Sequence, residues 1–224
     1  LYEQNPAEAM PPASVTKIMT LLLVMECMDA GTLKWEDTVT ASAHAASMGG
    51  SQIFLKEGEQ MTARDMIKSV VIASANDAAV ALAIYCGGTV EGFVELMNDK
   101  AFRLGMENTH FVNPNGLDAP GHYSTARDMA CLAAHAVADP TFVRLCSTKQ
   151  VSTAGRAMTN HNRLLREVDG CIGLKTGYTK AAGRTLVSCV RRDGCTLVAV
   201  TLQDGDDWAD HKALYEFGFN DTAS

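Results

Sequence analysis

Apolar positions along this chain follow two regimes. Up to about residue 147 they recur at helical spacing, and from Thr148 onward they fall into short runs between turn residues. The longest apolar stretch, Ile18 to Met28, is interrupted only by Thr20 and Glu26, and its apolar residues cover nearly the whole circumference of a helix. A helix without a polar face belongs inside the core. It is predicted from about Ser14 to Asp29 with a stop at Gly31, and it is too short and interrupted to cross a membrane. Leu1 to Pro12 is a polar lead-in with room for the end of a strand, and Ala41 to Gly58 is weakly patterned, with a loop signal at Ser47-Met48-Gly49-Gly50-Ser51.

Further on, Thr62 is expected to cap a second helix, with Asp65 in a capping-box position and Met66, Ile67, Val70 and Val71 on its apolar face. That helix leads to Ser74-Ala75-Asn76. A third follows from Asp77 to about Tyr85, closed by Gly87-Gly88, and a fourth runs from its Thr89 cap to Leu104. Glu107 to His122 reads as a long connection, with turns at Asn113-Pro114-Asn115-Gly116 and Pro120-Gly121. Ser124 is expected to cap a helix from Thr125 to Val137, and Asp139-Pro140 to start a short one ending at Cys146. Cys171 to Thr179 reads as a strand, and Arg184–Arg191 with Cys195–Leu202 as a hairpin across Arg192-Asp193-Gly194. Asp206 to Gly218 reads as a closing helix. This order predicts an α+β fold: an antiparallel sheet flanked by helices, with an all-helical lobe at about 40–147 inserted between the α+β segments of a single domain, 1–224.

Composition narrows the function. The chain is 47% hydrophobic and 20% charged, as in ordinary folded proteins, and its net charge of −7 with no basic run argues against a nucleic-acid partner. Seven cysteines without a C-x-x-C pair give no zinc or redox motif. Their odd number suggests a reducing or oxygen-poor setting without a disulfide framework, and most sit among apolar neighbours as small buried hydrophobes. The histidines, His44, His110, His122, His135, His161 and His211, show no metal-ligand spacing and read as structural. Neither a metal nor a cofactor is expected. Because Leu1 is not an initiator methionine, the lack of a targeting segment says little about location.

Candidate chemistry starts at Ser14-Val15-Thr16-Lys17. On a helix, Ser14 and Lys17 share a face, so a hydroxyl nucleophile stands beside an amine base, near free backbone N–H groups that suit an oxyanion. Roughly one Ser-x-x-Lys is expected by chance in a chain of this length, and Ser14 can equally be read as a plain N-cap. What raises the signal is order: Ser14-x-x-Lys17, then Ser74-x-Asn76, then Lys175-Thr176-Gly177. This is the set found in penicillin-binding proteins and class A β-lactamases.

With these motifs in place, the sequence resembles a D-alanyl-D-alanine carboxypeptidase of the low-molecular-weight penicillin-binding protein family. Residues 12–20, 74–83, 108–117, 121–128, 162–165 and 173–179 carry the likeness. The resemblance implies a β-lactamase/transpeptidase-like fold and removal of the terminal D-alanine from peptidoglycan stem peptides through an acyl-enzyme, with β-lactam antibiotics as covalent inhibitors. It implies Ser14 as nucleophile, Lys17 as general base and Ser74 as proton relay. Asn76, Lys175, Thr176, Gly177 and Tyr178 would bind substrate, with the backbone N–H groups of Ser14 and Tyr178 as the oxyanion hole. It further implies action outside the cytoplasm, in the cell envelope, by a full-length protein that is secreted or membrane-anchored, any membrane association being through segments not in this chain. The family's first strand and its C-terminal domain and anchor are likewise not in this chain, which is expected to start inside the second strand. The arginine that some members carry before the last helix to meet the substrate carboxylate is missing from Asp206-Asp207-Trp208-Ala209-Asp210; Arg184 is a substitute, set against its reading as a solvated strand arginine.

Two other functions compete. A class A-like β-lactamase needs a deacylation glutamate with an asparagine four residues on, whereas Glu107 is followed there by Phe111, and its Ser-Asp-Asn is here Ser-Ala-Asn. A non-catalytic peptidoglycan-binding module would have no use for the complete catalytic set. Without a deacylation glutamate, slow release of penicillin is expected.

Overall fold

The computed structural model describes residues 1–222. A 3₁₀ turn, Ala13–Thr16, leads into α1 (Lys17–Asp29). Then come β1 (Thr38–Thr40), α2 (Ala43–Ala46), β2 (Gln60–Thr62), α3 (Ala63–Ile72), α4 (Asn76–Gly87) and α5 (Val90–Arg103). After the 107–122 connection follow α6 (Ala126–Ala136), α7 (Pro140–Cys146), β3 (Gln150–Thr153), β4 (Arg156–Thr159) and α8 (Leu164–Glu167). The chain then forms β5 (Cys171–Thr179), β6 (Gly183–Arg192), β7 (Cys195–Thr201) and α9 (Asp207–Thr222). The α+β class is as expected.

Helix α1 is the central post that its apolar circumference requires: every residue from Lys17 to Met25 is buried. It packs against α3, α4, α5, α6 and α7, and against β5. The sheet is antiparallel in the order β5-β6-β7, and β6 is buried throughout Thr185–Val190. Helices α6 and α9 both pack on β6 and β7. The register pairs Lys175 with Val187, Thr176 with Leu186, Gly177 with Thr185 and Tyr178 with Arg184. Among the described residues β5 pairs only with β6, so its other edge is free for a ligand strand. No single helix among them is long and apolar enough to cross a membrane.

Caps explain most boundaries. Thr62, Thr89 and Thr125 accept the N–H of Asp65, Gly92 and Asp128, and Asp139 accepts that of Thr141 beside Pro140. The cap of α6 is therefore Thr125, not Ser124. Ser124 is still in extended chain: its backbone bridges to Met10 and its hydroxyl meets Thr109. Asp65 does not complete a capping box, because its carboxylate is taken by Thr153 from β3. The lead-in holds no strand; its one β contact is the Met10–Ser124 bridge. The ribbons β1–β2 and β3–β4 and the one-turn helices α2 and α8 were not individually expected, since three or four residues carry too little period.

Two cysteine expectations differ in outcome. All seven thiols are free, but only Cys146 and Cys189 are buried; Cys27, Cys86, Cys171 and Cys195 are half-buried and Cys131 is exposed. Cys131 is exposed although its helix neighbours Met129 and Leu132 are buried, and Cys171 and Cys195 stand at the first positions of β5 and β7.

Candidate active site

Ser14 lies inside the 3₁₀ turn and not at an N-cap, and its side chain caps nothing. The turn faces Lys17, the first residue of α1, whose Nζ donates to Ser14 Oγ at 2.9 Å. Lys17 is fully buried, and Nζ also donates to Asn76 Oδ1 and to the Asn115 carbonyl, both at 2.6 Å. All three partners are neutral. A buried ammonium without a carboxylate partner is poorly stabilised, so burial first and the charge of Lys175 second hold the Lys17 pKa well below the usual lysine range, against a smaller upward pull from Asp77. An amine in that condition gives up its proton more readily than an ordinary lysine, as a general base must.

Ser74 sits between α3 and α4 at φ +58°, a left-handed conformation. Lys175 Nζ donates to Ser74 Oγ and to the Thr176 carbonyl, each at 2.9 Å. Lys175 is itself buried, and desolvation brings its pKa down to about 8. The two lysine–serine pairs therefore approach each other from α1 and from β5. Strand β5 runs directly over the nucleophile turn: a Cβ on Gly177 would stand 2.8 Å from Ser14 N and 2.4 Å from Thr185 Oγ1. Only glycine allows that approach. Ser14 N–H, at the start of its turn, has no intrahelical acceptor.

A cleft of about 380 Å³ opens at this junction. Ser14, Ser74, Thr176, Gly177 and Tyr178 line it, as does Ser51. Lys17, Lys175 and Asn76 stand behind the wall, each at most 4% exposed. Asn76 was expected to offer its amide to substrate. Both ends of that amide are engaged within the protein, Oδ1 by Lys17 and Nδ2 by the Gly49 carbonyl at 2.7 Å. The next residue, Asp77, fixes the same rim loop: its buried carboxylate accepts the N–H groups of Ile53 and Leu55.

Sequence reasoning undervalued three features. Arg184 is not a free solvated arginine; it lines the cleft, pairs with the buried Asp207 and lies 5.7 Å from the centroid of Trp208. His161, expected to be structural, also lines the cleft. The Asn115 carbonyl that receives Lys17 belongs to the backbone, where residue type gives no signal. Arg184 was singled out only as a substitute for the arginine that some family members carry before the last helix.

With this geometry in view, sequence comparison is decisive: the family model described as D-alanyl-D-alanine carboxypeptidase matches residues 1–206. The chain belongs to that family. Its relatives include the D-alanyl-D-alanine carboxypeptidases DacF of Bacillus subtilis, 44% identical over 89% of this chain and 53% of the relative, and DacC of Escherichia coli, 40% identical over 90% and 52%. The chain thus spans about half the length of these curated relatives. Among solved structures, penicillin-binding protein 5 from Haemophilus influenzae superposes with a TM-score of 0.93 at 34% identity, covering 98% of this chain and 67% of that one. Penicillin-binding protein D2 from Listeria monocytogenes, in its ampicillin-bound form, gives 0.89 at 31% identity over 97% and 91%. The β-lactamase/transpeptidase-like fold is the one this carboxypeptidase family shares with its structural neighbours.

Proposed function

We propose that this chain is the catalytic part of a serine-type D-Ala-D-Ala carboxypeptidase that removes the terminal D-alanine from peptidoglycan stem peptides in the cell envelope, and that β-lactams acylate it at Ser14. The observation that carries this reading is the buried, carboxylate-free Lys17 amine at 2.9 Å from Ser14 Oγ. Neutral Lys17 takes the Ser14 proton as Oγ attacks the carbonyl between the two D-alanines. The backbone N–H groups of Ser14 and Tyr178 hold the oxyanion. The C–N bond then breaks, the proton reaches the leaving amine through Ser74, and D-alanine departs. Water hydrolyses the remaining ester, giving its proton to Lys17 and returning Ser14.

Substrate lies along the free edge of β5, with its carboxylate near Thr176 and within the field of Lys175; Arg184, braced by Asp207 and Trp208, supplies further positive charge at that cleft. Asn76 serves chiefly to orient Lys17, and reaches substrate only when Nδ2 leaves Gly49. Among the described residues lining the cleft, the one carboxylate is Asp207, already committed to Arg184, which supports slow hydrolysis of a penicilloyl ester.

The test is release of D-alanine from an acyl-D-Ala-D-Ala peptide and its block by a stoichiometric penicillin adduct. Peptide binding without D-alanine release would favour a binding module, and rapid nitrocefin turnover a β-lactamase. The lysines add a pH signature. Acylation should rise with pH as Lys17 loses its proton and fall again through about 8 as Lys175 loses its charge. A penicillin acylation rate that climbs steadily past that upper limb would remove charged Lys175 from the mechanism.

A further inference from the structure

His161 is exposed at the cleft, which sets it apart from the hydrogen-bonded histidines of this chain. The His122 ring accepts the Val112 N–H at Nδ1 and meets Thr16 Oγ1 through Nε2, and His211 lies between Ser188 and Thr201. His110 pairs with the Gly121 carbonyl. Among the described residues no group is hydrogen-bonded to either ring nitrogen of His161, although it lines the cleft with Ser14, Ser74 and Thr176.

Its backbone, by contrast, is fastened on both sides. Asn160 and Asn162 are buried at 6% and 1% exposure. Asn160 Nδ2 donates to the Cys146 and Thr148 carbonyls, and its Oδ1 accepts the Asn162 N–H. Asn162 Oδ1 accepts the Leu164 N–H at the start of α8. Arg166 adds a bond from Nη2 to the Lys149 carbonyl, alongside the one the Asn160 N–H makes to the same atom. Two locked asparagine turns therefore present an unpartnered imidazole to the cleft, an arrangement suited to a preorganised ligand contact.

We propose that His161 is a substrate-contacting residue whose imidazole, on protonation, pairs with the free C-terminal carboxylate of the peptide, so that substrate binding takes up a proton. This rests on the carboxypeptidase reading above and extends it to the recognition of a carboxylate terminus. Partial desolvation and then the charges of Lys175 and Lys17 lower the His161 pKa and so disfavour the imidazolium. The charges acting on the ring are Lys175 from β5 and Lys17 from α1, both behind the cleft wall, and the cleft itself is lined by Tyr178 and by Arg184 with its partner Asp207. A carboxylate entering beside Lys175 offsets the lysine charge and favours imidazolium. By linkage, affinity then increases as pH falls through the His161 titration, in a range where Lys175 stays charged.

The experiment is protection of Ser14 from a fluorescent penicillin by an acyl-D-Ala-D-Ala peptide and by its C-terminal amide, in wild type and His161→Gln. For wild type, affinity for the free acid should improve by about three- to tenfold between about pH 7 and pH 5.5 as the imidazole takes up its proton. The amide should show no such gain, and His161→Gln should lose it for the acid while still being labelled. An equal gain in His161→Gln, or for the amide, overturns the assignment and leaves the carboxypeptidase reading intact. Failure of penicillin to label the wild type overturns both.

Discussion

Lys17→Met should cut penicillin acylation of Ser14 by about a thousandfold or more, within the range for loss of a positioned general base, and Ser14→Ala should give no adduct by intact mass spectrometry. Methionine nearly matches the length of lysine, so the fully buried site stays filled. Stability faces two opposing changes. Removing an uncompensated buried amine relieves its desolvation, while the Asn76 Oδ1 and Asn115 carbonyl lose their donor at roughly 1–3 kcal/mol each. The unfolding temperature should therefore move little beside the loss of rate. Lys17→Arg separates charge from basicity, because a guanidinium does not give up its proton in a protein; it should be as inactive as Lys17→Met. Acylation within about tenfold of wild type in either lysine variant would show that another group takes the serine proton.

Where the sequence succeeded and failed follows from where each residue's information lies. Ser14, Lys17, Ser74 and Lys175–Gly177, which the structure brings to one site, could be picked out in the sequence because they stand in three short motifs in a fixed order. The apolar circumference of α1 announced its central position, and burial of Lys17 through Met25 is that signal in three dimensions. His161 was illegible as a cleft residue because its neighbours Asn160 and Asn162 act through carbonyls at 146 and 148 and an amide at 164, contacts that no periodicity encodes. Asp207 stood in the sequence only within a stretch that lacks the family's arginine, and the fold brings it to Arg184 on β6. Asn76 was assigned to substrate through the family resemblance; the rim carbonyl of Gly49 that occupies its Nδ2 comes from a weakly patterned loop. The one-residue error at Ser124 has the same origin, since the bridge to Met10 keeps that residue extended.

The support of the nucleophile turn can be tested without touching any reacting group. Gly116 has φ +83°, and a Cβ built on it would stand 1.9 Å from the Ala13 carbonyl oxygen, 2.4 Å from its carbon and 3.0 Å from Ser14 N. These are backbone atoms, so no side-chain rotation relieves the clash. Gly116→Ala should therefore incur roughly 1–2 kcal/mol of left-handed strain and about 1–3 kcal/mol of overpacking, lowering the unfolding temperature by several degrees, at about 2–4 °C per kcal/mol for a chain of this size. The displaced atoms carry Ser14 and its N–H, and the preceding carbonyl, Asn115, holds Lys17. A shift of about 1 Å at such a place costs on the order of a hundredfold in rate, so acylation should fall by at least that much in protein that is still folded. Gly105→Ala is the matched control: its φ is +71° and a Cβ there meets nothing within 4 Å. It should show the strain in its unfolding temperature and acylate at the wild-type rate. If Gly116→Ala also acylates normally, the turn adapts to its neighbour, and the close packing of Gly116 is not what fixes Ser14.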